Sequence, residues 1–255
     1  MNIVYGPVSS WRLGSSLGVD LICSTKKICS FECNYCQLQE TKKHTIERNN
    51  FISVNKLKEE LKDALIKSKP DVITISGTGE PTLAKNLDEA IQEIRKLSNL
   101  PIAILTNSTL LFDKNVRDSL KKIDIIVAKL DAPNQEIFEK MNHPIKKITF
   151  EKTLDGIKKM RNEFNGKFAT QTMFVDENKN YAKQIADIIR TINPDEVQIN
   201  TPLRPCKKEP LPVEELDEIE KKFKGLNTIN VYHSKKPMTN PLDKVELFKR
   251  RGIIK

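Results

Sequence analysis

Three cysteines near the N-terminus carry the most distinctive chemistry in this sequence. Cys29, Cys33 and Cys36 are spaced C-x3-C-x2-C within the segment KKICSFECNYCQLQ. Three thiolates this close together on a loop can hold one face of a compact metal cluster. A [4Fe–4S] cluster has four irons, so three protein ligands leave one iron open. An open coordination position is what a catalytic metal site needs.

The same spacing has other interpretations. Structural zinc takes four ligands, usually as two spaced pairs, and the other candidates, Cys23, Cys206 and three histidines, form no second pair. A ferredoxin needs a fourth cysteine in or near the run. A redox pair formed by Cys33 and Cys36 leaves Cys29 without a role. The spacing favours the three-cysteine cluster, and Cys23 and Cys206 are then interpreted as small buried apolar side chains.

The elements that must position the cysteines alternate along the chain. Apolar runs rich in β-branched residues predict strands at Leu17–Ile22, Val72–Ser76, Ile102–Thr106, Ile123–Ala128, Phe168–Val175, Glu196–Asn200 and Thr228–Tyr232. Several of these runs are almost continuously apolar, which is typical of strands buried on both faces of a parallel sheet.

Helical periodicity occupies the intervals between these strands. Apolar residues share one face in five sets, with a shorter helix near Val116–Leu120: Leu57, Leu61, Ala64 and Leu65; Leu87, Ala90, Ile91, Ile94 and Leu97; Leu154, Ile157 and Phe164; Ile185, Ile188 and Ile189; Val213, Leu216, Ile219 and Phe223. Parallel neighbours need crossover connections, usually helices, so we expect a succession of strand–helix units. The active site is expected at the C-terminal ends of the strands, where the loops that follow them gather.

Composition sets further bounds. The 255 residues include 43 Lys or Arg and 34 Asp or Glu, a net charge of +9. This excess favours acidic partners such as nucleic acid or phosphorylated substrates, although a lysine-rich surface that serves solubility gives the same number. Scattered basic pairs such as Arg250-Arg251 are interpreted as solvated faces, or as an RNA-binding surface if several of them lie on the rim beside the cluster. No stretch approaches the roughly 18 apolar residues of a membrane span, and the N-terminus lacks a signal peptide, so the sequence predicts a cytoplasmic protein.

The cysteine motif, with Tyr35 before its third cysteine, resembles that of the radical S-adenosylmethionine (SAM) superfamily. Further motifs of that superfamily follow in order at predicted strand ends: GTGEP (Gly77–Pro81), LTNSTLL (Leu105–Leu111), AKLDA (Ala128–Ala132) and VQINTPLRP (Val197–Pro205). With the opening YGPVSSWRLGSSLGVDL, the chain is similar to the group that includes the wyosine-pathway tRNA enzymes. The likeness extends from Tyr5 to about Pro205. One departure is Thr106-Asn107-Ser108, where relatives often read Thr-Asn-Gly.

This resemblance implies an α/β fold, a partial (β/α)6 barrel with a short C-terminal strand–helix extension. Residues 1–255 are expected to form a single domain, with a core over about 15–205 and the extension over about 206–255. At this length the barrel leaves little room for a separate recognition domain.

The resemblance also implies cofactors and their ligands. One [4Fe–4S] cluster would be held by the three cysteines, and SAM would bind the open iron through its amino and carboxylate groups. Reductive cleavage then yields a 5′-deoxyadenosyl radical that abstracts hydrogen from substrate. The residues implied to contact SAM are Tyr35 beside the adenine; Gly77, Gly79 and Glu80 at its polar end; Asn107, Lys129 and Asp131 at the ribose or carboxylate; and Gln171 and Ile199 at the ribose and adenine. Each of these has a structural alternative, as a turn residue, a core side chain or a buried polar group.

The substrate favoured by the subgroup likeness and the charge is tRNA. The alternatives are an activating or maturation enzyme acting on a protein or small molecule and, in another class, a non-catalytic iron–sulfur electron carrier or a zinc-stabilised RNA-binding module. An electron carrier has no need of a SAM pocket, so GTGEP and the Thr-Asn-Ser segment argue against it. A low-potential donor such as a flavodoxin or ferredoxin is the expected partner, and the protein is expected to be a monomer without membrane attachment. Trp11 and Arg12 are further candidates for contact with substrate or SAM, although Trp11 is favoured as a packing residue at the open end of the barrel.

Overall fold

A computed structural model describes residues 1–38 and 41–251. Its strands are β1 Val4–Ser10, β2 Gly14–Val19, β3 Lys27–Cys29, β4 Thr41–His44, β5 Val72–Ile75, β6 Ile102–Thr106, β7 Ile125–Lys129, β8 Lys167–Met173, β9 Glu196–Asn200 and β10 Thr228–Asn230. Its helices are α1 Val54–Lys67, α2 Leu87–Leu97, α3 Lys114–Leu120, α4 Gln135–Asn142, α5 Phe150–Glu163, α6 Ala182–Ile192, α7 Val213–Lys221 and α8 Lys244–Arg251.

The main sheet has eight strands in the order β1-β2-β5-β6-β7-β8-β9-β10. All neighbours from β2 onward are parallel, and only β1 pairs antiparallel, with β2. The sheet curls into a half barrel, which confirms the predicted α/β fold. Parallel strands joined by helices bring all their C-terminal ends to one edge, and that edge holds the predicted site motifs.

The core lies between the outer face of this sheet and the helices. Strands β5, β6 and β9 place Ile73, Ile104 and Val197 in this layer, fully buried against apolar helix faces. Leu57 and Ile185, predicted to lie on such faces, are also fully buried. No helix within the described ranges is long and apolar enough to cross a membrane.

The first strand predicted from the sequence, Leu17–Ile22, lies about three residues too late. In the structure the corresponding strand, β2, begins at Gly14 and ends at Val19. The chain turns at Asp20, whose side chain accepts hydrogen bonds from the backbone N–H groups of Ile22 and Cys23 at 3.0 and 2.9 Å. Short aspartate side chains bond to backbone two or three residues ahead and so favour turns over strands. The Asp20 carboxylate also lies beside the candidate active site.

Strands β1, β3 and β4 and helix α4 are not predicted from the sequence. Of these, β3 and β4 form a separate two-stranded parallel sheet. Strand β3 leads directly into the cysteine loop, and Ile28 within it forms an isolated bridge with Gly79 after β5. This small sheet therefore joins the cysteines to the GTGEP segment.

Candidate active site

A cavity of about 290 Å³ opens at the C-terminal edge of the half barrel. Its wall includes most of the residues predicted from the sequence: Cys29, Cys33, Cys36, Tyr35, Gly77, Gly79, Glu80, Asn107, Lys129 and Gln171. Segments more than 140 residues apart along the chain thus meet around one space, as the strand-end positions of their motifs predict. Asp131 and Ile199 are not part of this wall.

The cysteine loop is fastened on two sides. On the barrel side, the N–H of Ile28 donates to the carbonyl of Thr78 at 3.2 Å, and the N–H of Glu80 donates to the carbonyl of Ile28 at 3.1 Å. On the other side, the N–H of Asn34 donates to the carbonyl of Met141 in α4 at 3.0 Å. A turn closed by the bond from the Cys36 N–H to the Cys33 carbonyl, at 3.0 Å, completes the loop. The three thiols are therefore held at fixed positions on the cavity wall.

Hydrogen-bond donors surround the sulfur atoms. The Asn107 amide lies 3.4 Å from the sulfur of Cys29. The Lys129 ammonium and the Asn142 amide lie 3.7 and 3.4 Å from that of Cys33. Donors aimed at sulfur stabilise thiolate and tune the potential of a cluster bound to it. Asn142 was missed in the sequence because it lies at the end of α4, a short helix that was itself not predicted.

Burial acts against ionisation of the cysteines in the free protein. It raises the pKa of the Cys29 thiol to about 12, with a further contribution from Glu80, while Lys27 acts in the opposite direction. A thiol of this kind becomes a thiolate only when a cation or cluster compensates the charge. The donor set and the cavity fit an iron–sulfur cluster bound through three thiolates.

The arrangement of the same cysteines differs from that of a structural zinc site. Zinc–sulfur bonds of about 2.3 Å in a tetrahedron bring the ligating atoms into close contact with one another. Within residues 1–38 and 41–251, no three Cys, His, Asp or Glu side chains are grouped to hold one metal ion. A cluster, by contrast, attaches each thiolate to a different iron.

The two glycines of GTGEP make room for protein atoms. A Cβ on Gly77 would lie 2.1 Å from the Asp20 side chain, and one on Gly79 would lie 1.8 Å from the Ile28 carbonyl oxygen. Both distances are far inside van der Waals contact. The sequence predicts that these glycines let the backbone approach SAM closely. The structure adds a second requirement, which the sequence alone did not indicate: a side chain at either position would collide with protein atoms.

Glu80 lies at the centre of a buried hydrogen-bond network. One carboxylate oxygen accepts from the Thr82 N–H and hydroxyl and from the Thr106 hydroxyl, and the other accepts from the Asn107 N–H at 2.6 Å. Burial raises the pKa of Glu80, and these hydrogen bonds oppose the rise. The network joins the ends of β5 and β6, so Glu80 fixes Asn107 beside the cysteine loop.

Lys129, Asp131 and Tyr35 form a second network. The Lys129 ammonium lies 3.4 Å from the Asp131 carboxylate and 4.3 Å from the centre of the Tyr35 ring. The Tyr35 hydroxyl donates a hydrogen bond to Asp131, which also accepts from the Asn142 amide and from the N–H of Met173. Burial alone would lower the pKa of Lys129, but Asp131 and the nearby cysteines outweigh it and raise that pKa. Asp131 therefore lies behind the cavity wall and orients two residues that form it.

Gln171 and Ile199, both predicted to contact SAM, have different surroundings. Gln171 lines the cavity, and its side-chain oxygen accepts from Arg12 at 2.8 Å. This bond joins the β1–β2 turn to β8. Ile199 is fully buried in the main core, outside the cavity wall, since alternate side chains of a strand point to opposite faces.

Fold and site together define a radical SAM protein. The family model of the Radical SAM superfamily matches residues 24–189, which include the cysteine motif and the ends of β5 to β8. The chain belongs to this superfamily, whose members are enzymes that use a [4Fe–4S] cluster and SAM.

Within the superfamily, the chain belongs with the UPF0026 proteins. It is 42% identical over 203 residues to UPF0026 protein slr1464 of Synechocystis, an alignment that covers 79% of this chain and 76% of the relative. A Brachyspira hyodysenteriae protein named GTPase Obg is 36% identical over 235 residues, covering 89% of this chain. The alignment spans only 34% of the length of that relative.

Solved structures share the fold at low sequence identity. Streptococcus suis SuiB bound to S-adenosylmethionine superposes with a TM-score of 0.62 and 16% identity, covering 83% of this chain and 50% of SuiB. Archaeal TYW1 superposes with a TM-score of 0.57 and 14% identity, covering 85% of this chain and 74% of TYW1. Both likenesses establish the fold of the half barrel.

Proposed function

We propose that Cys29, Cys33 and Cys36 bind one [4Fe–4S] cluster and that this chain cleaves SAM reductively in the adjoining cavity. The observation that carries the proposal is the position of the three cysteines on one cavity wall together with the GTGEP segment and Asn107. When bound, the cluster supplies the electron that breaks a sulfur–carbon bond of SAM and gives a 5′-deoxyadenosyl radical.

The protein contributes ligation, orientation and exclusion of water. The cysteine loop is held from both sides, so its thiolates face the cavity. Glu80 and Thr106 are buried residues of the cavity wall, and their hydrogen bond joins the ends of β5 and β6 beside the site. Asn107, Gln171 and Lys129 lie where they can orient the ribose and carboxylate of SAM, and Tyr35 lies where it can flank the adenine. A low-potential flavodoxin or ferredoxin would deliver the electron to a monomeric, cytoplasmic enzyme.

For the substrate we propose tRNA. Five cationic residues and one carboxylate line the cavity: Arg12, Lys27, Lys129, Arg204 and Arg250, with Glu80. Carboxylates behind the cavity wall offset two of these charges, since Asp131 pairs with Lys129 and both Asp20 and Glu246 pair with Arg250. The support for tRNA is therefore the net charge of +9 of the whole chain, which favours a ligand rich in phosphate, together with the likeness to the wyosine-pathway enzymes. The fold alone does not select a substrate, since SuiB and TYW1 superpose on it comparably.

Reductive cleavage is tested by anaerobic reconstitution followed by dithionite and SAM. We expect 5′-deoxyadenosine to form in the wild type. Cys33→Ala should lose the cluster and the product together, while Cys23→Ala, which alters a cysteine outside the motif, should retain both. If 5′-deoxyadenosine never forms with a spectroscopically intact cluster, the proposal of reductive cleavage is wrong, and an iron–sulfur electron carrier becomes the favoured alternative.

The tRNA proposal is tested by profiling modified nucleosides in total tRNA from a strain that lacks this protein. We expect one modified nucleoside to disappear and to return when the wild-type protein, but not Cys33→Ala, is supplied. An unchanged profile would instead indicate a protein or small-molecule substrate.

A further inference from the structure

The C-terminal helix α8 inserts a buried arginine beside the active site. The Arg250 side chain is 3% exposed, although its sequence context, a basic pair, predicted a solvated position. Its guanidinium bonds to Asp20, to the backbone carbonyl of Asn2 and, through Nε at 3.0 Å, to Glu246. It also lies 4.6 Å from the centre of the Tyr5 ring. A charge is rarely buried to this extent unless it is fully paired.

Asp20 connects Arg250 to the GTGEP segment. The carboxylate oxygen that meets Arg250 also accepts from the Thr78 N–H at 3.1 Å and from the Thr78 hydroxyl at 2.8 Å. The Thr78 hydroxyl in turn accepts from the N–H of Ser24 at 3.0 Å. Because Thr78 lies between the two glycines, the Asp20 carboxylate fixes the backbone conformation of the whole GTG turn.

A second route joins the same helix to the end of β5. The Tyr5 ring stacked against Arg250 directs its hydroxyl to Ser76, 3.0 Å from the side-chain oxygen. Ser76 directly precedes Gly77, and Tyr5, Ser76, Gly77 and Arg250 all line the cavity. Both routes therefore end on the same turn, and neither involves the cysteines.

We infer that Arg250 is a positioning residue for SAM: it acts through Asp20 and Thr78 to hold the GTG turn in its SAM-binding conformation. All donor groups of Arg250 that the structure describes are directed at protein acceptors, so it acts through other residues rather than on SAM itself. The inference rests on the proposed SAM-binding function of this turn. It gives the C-terminal extension a role in cofactor affinity, in addition to its contribution to folding.

The test compares SAM affinity in reconstituted, full-length variants by equilibrium dialysis with labelled SAM. Arg250→Gln should weaken SAM binding about tenfold, the effect of losing roughly one charged hydrogen bond, while iron content stays that of the wild type. Arg250→Lys should recover part of the loss, because an ammonium can still meet Asp20. The matched control is Arg190→Gln, since the exposed Arg190 also bonds a carboxylate and two backbone carbonyls but lies away from the cavity.

A double-mutant comparison separates positioning from general destabilisation. Thr78→Ala removes the receiving hydroxyl but leaves the Thr78 N–H bonded to Asp20. Arg250→Gln combined with Thr78→Ala should therefore lose less SAM affinity than the product of the two single losses. If Arg250→Gln fails to fold, Glu246→Gln, which removes a contact remote from SAM, should still weaken binding two- to threefold.

The outcomes distinguish the inference from the function beneath it. The positioning role would be overturned if the Arg250→Gln variant bound SAM with wild-type affinity. It would also be overturned if the loss of SAM affinity in the double variant equalled the product of the two single losses. Either result would leave the proposed function intact. Failure of the wild-type, cluster-loaded protein to bind SAM would overturn the proposed function itself.

Discussion

The side-chain amide of Asn107 lies 3.4 Å from the sulfur of Cys29, which joins the end of the third parallel strand of the barrel to the first cysteine of the motif. The same amide donates to the Ser30 hydroxyl at 2.9 Å, and its oxygen accepts from the Thr109 N–H at 3.0 Å. Resemblance to relatives had suggested SAM as the partner of Asn107. Its described contacts place it between the cysteine loop and the strand end, where it can influence a bound cluster directly.

Asn107→Ala is expected to make the reduction potential of a bound cluster more negative. A hydrogen bond to a ligating sulfur favours the reduced, more negative state, so its loss disfavours reduction. The free energy of unfolding should also fall by about 1–3 kcal/mol, because the buried Thr109 N–H loses its acceptor. Redox titration monitored by electron paramagnetic resonance measures the potential, with Asn227→Ala as control, since that amide bonds the Asp195 carbonyl away from the cavity. An unchanged potential in Asn107→Ala would show that this contact does not act on the cluster.

The barrel was predictable because its strands are buried on both faces. The runs of β5 and β6 are apolar apart from one threonine each, and their alternation with helical segments implies parallel pairing. The strands that the sequence does not predict carry weaker signals: β4 is the polar tetrapeptide TKKH, and β3 has only three residues. Such strands form because their neighbours provide hydrogen-bond partners, which propensity does not encode.

The positions of the site residues were predictable, but their partners were not. Glu80, Asp131 and Arg250 are ordinary charged residues in the sequence, and only the fold shows that each is buried within a network. Ile199 shows the reverse case, since its strand was predicted with the correct bounds while the face that it occupies was not. Side-chain direction in a strand changes with every residue, so a motif match can indicate a strand end without indicating which residue faces the ligand.

Gly79→Ala is expected to impair cluster assembly. A methyl group at this position would lie 1.8 Å from the Ile28 carbonyl oxygen, so β3 and the cysteine loop that follows it must move. Iron and sulfide per chain after reconstitution should fall below half of the wild-type content. Gly225→Ala is the matched control, because Gly225 has φ +91° but no atom within 4 Å of an added Cβ. It should lose about 1 kcal/mol of stability and load iron normally. Normal loading of Gly79→Ala would mean that β3 need not pair with the GTGEP segment.

Glu80→Gln is expected to flatten the pH dependence of stability in the apo protein. Burial raises the pKa of Glu80 in the folded protein above its ordinary value of 4.5. At pH values between the ordinary pKa and this raised pKa, the unfolded chain therefore binds fewer protons than the folded one. Stability from this group therefore falls as pH rises through that interval, and the uncharged variant lacks this slope. Urea unfolding from about pH 3 to about pH 7 measures the difference and includes the pH range in which a carboxylate with a lowered pKa titrates.

Glu93→Gln is the control for that slope. The contact with Lys96 lowers the pKa of Glu93, so this group contributes stability that is lost as pH falls, and its removal changes the slope in the opposite sense. Identical slopes in the wild type and Glu80→Gln would mean that Glu80 titrates as a solvated carboxylate.

Asp131→Asn is expected to destabilise the apo protein by about 3 kcal/mol, because removal of one partner leaves the charge of Lys129 in a largely buried site. Lys129→Met should cost less, since the Asp131 carboxylate keeps its bonds from Tyr35, Asn142 and Met173. If the pair acts as a unit, the double variant should be more stable than the sum of the single losses predicts. Urea unfolding of the four proteins at neutral pH, without SAM or cluster, measures this coupling. Two outcomes would mean that Asp131 does not organise the cavity wall before a ligand binds. One is that the stability losses of the two single variants simply add in the double variant. The other is a cost below about 0.5 kcal/mol for Asp131→Asn, which is typical of a solvated surface residue.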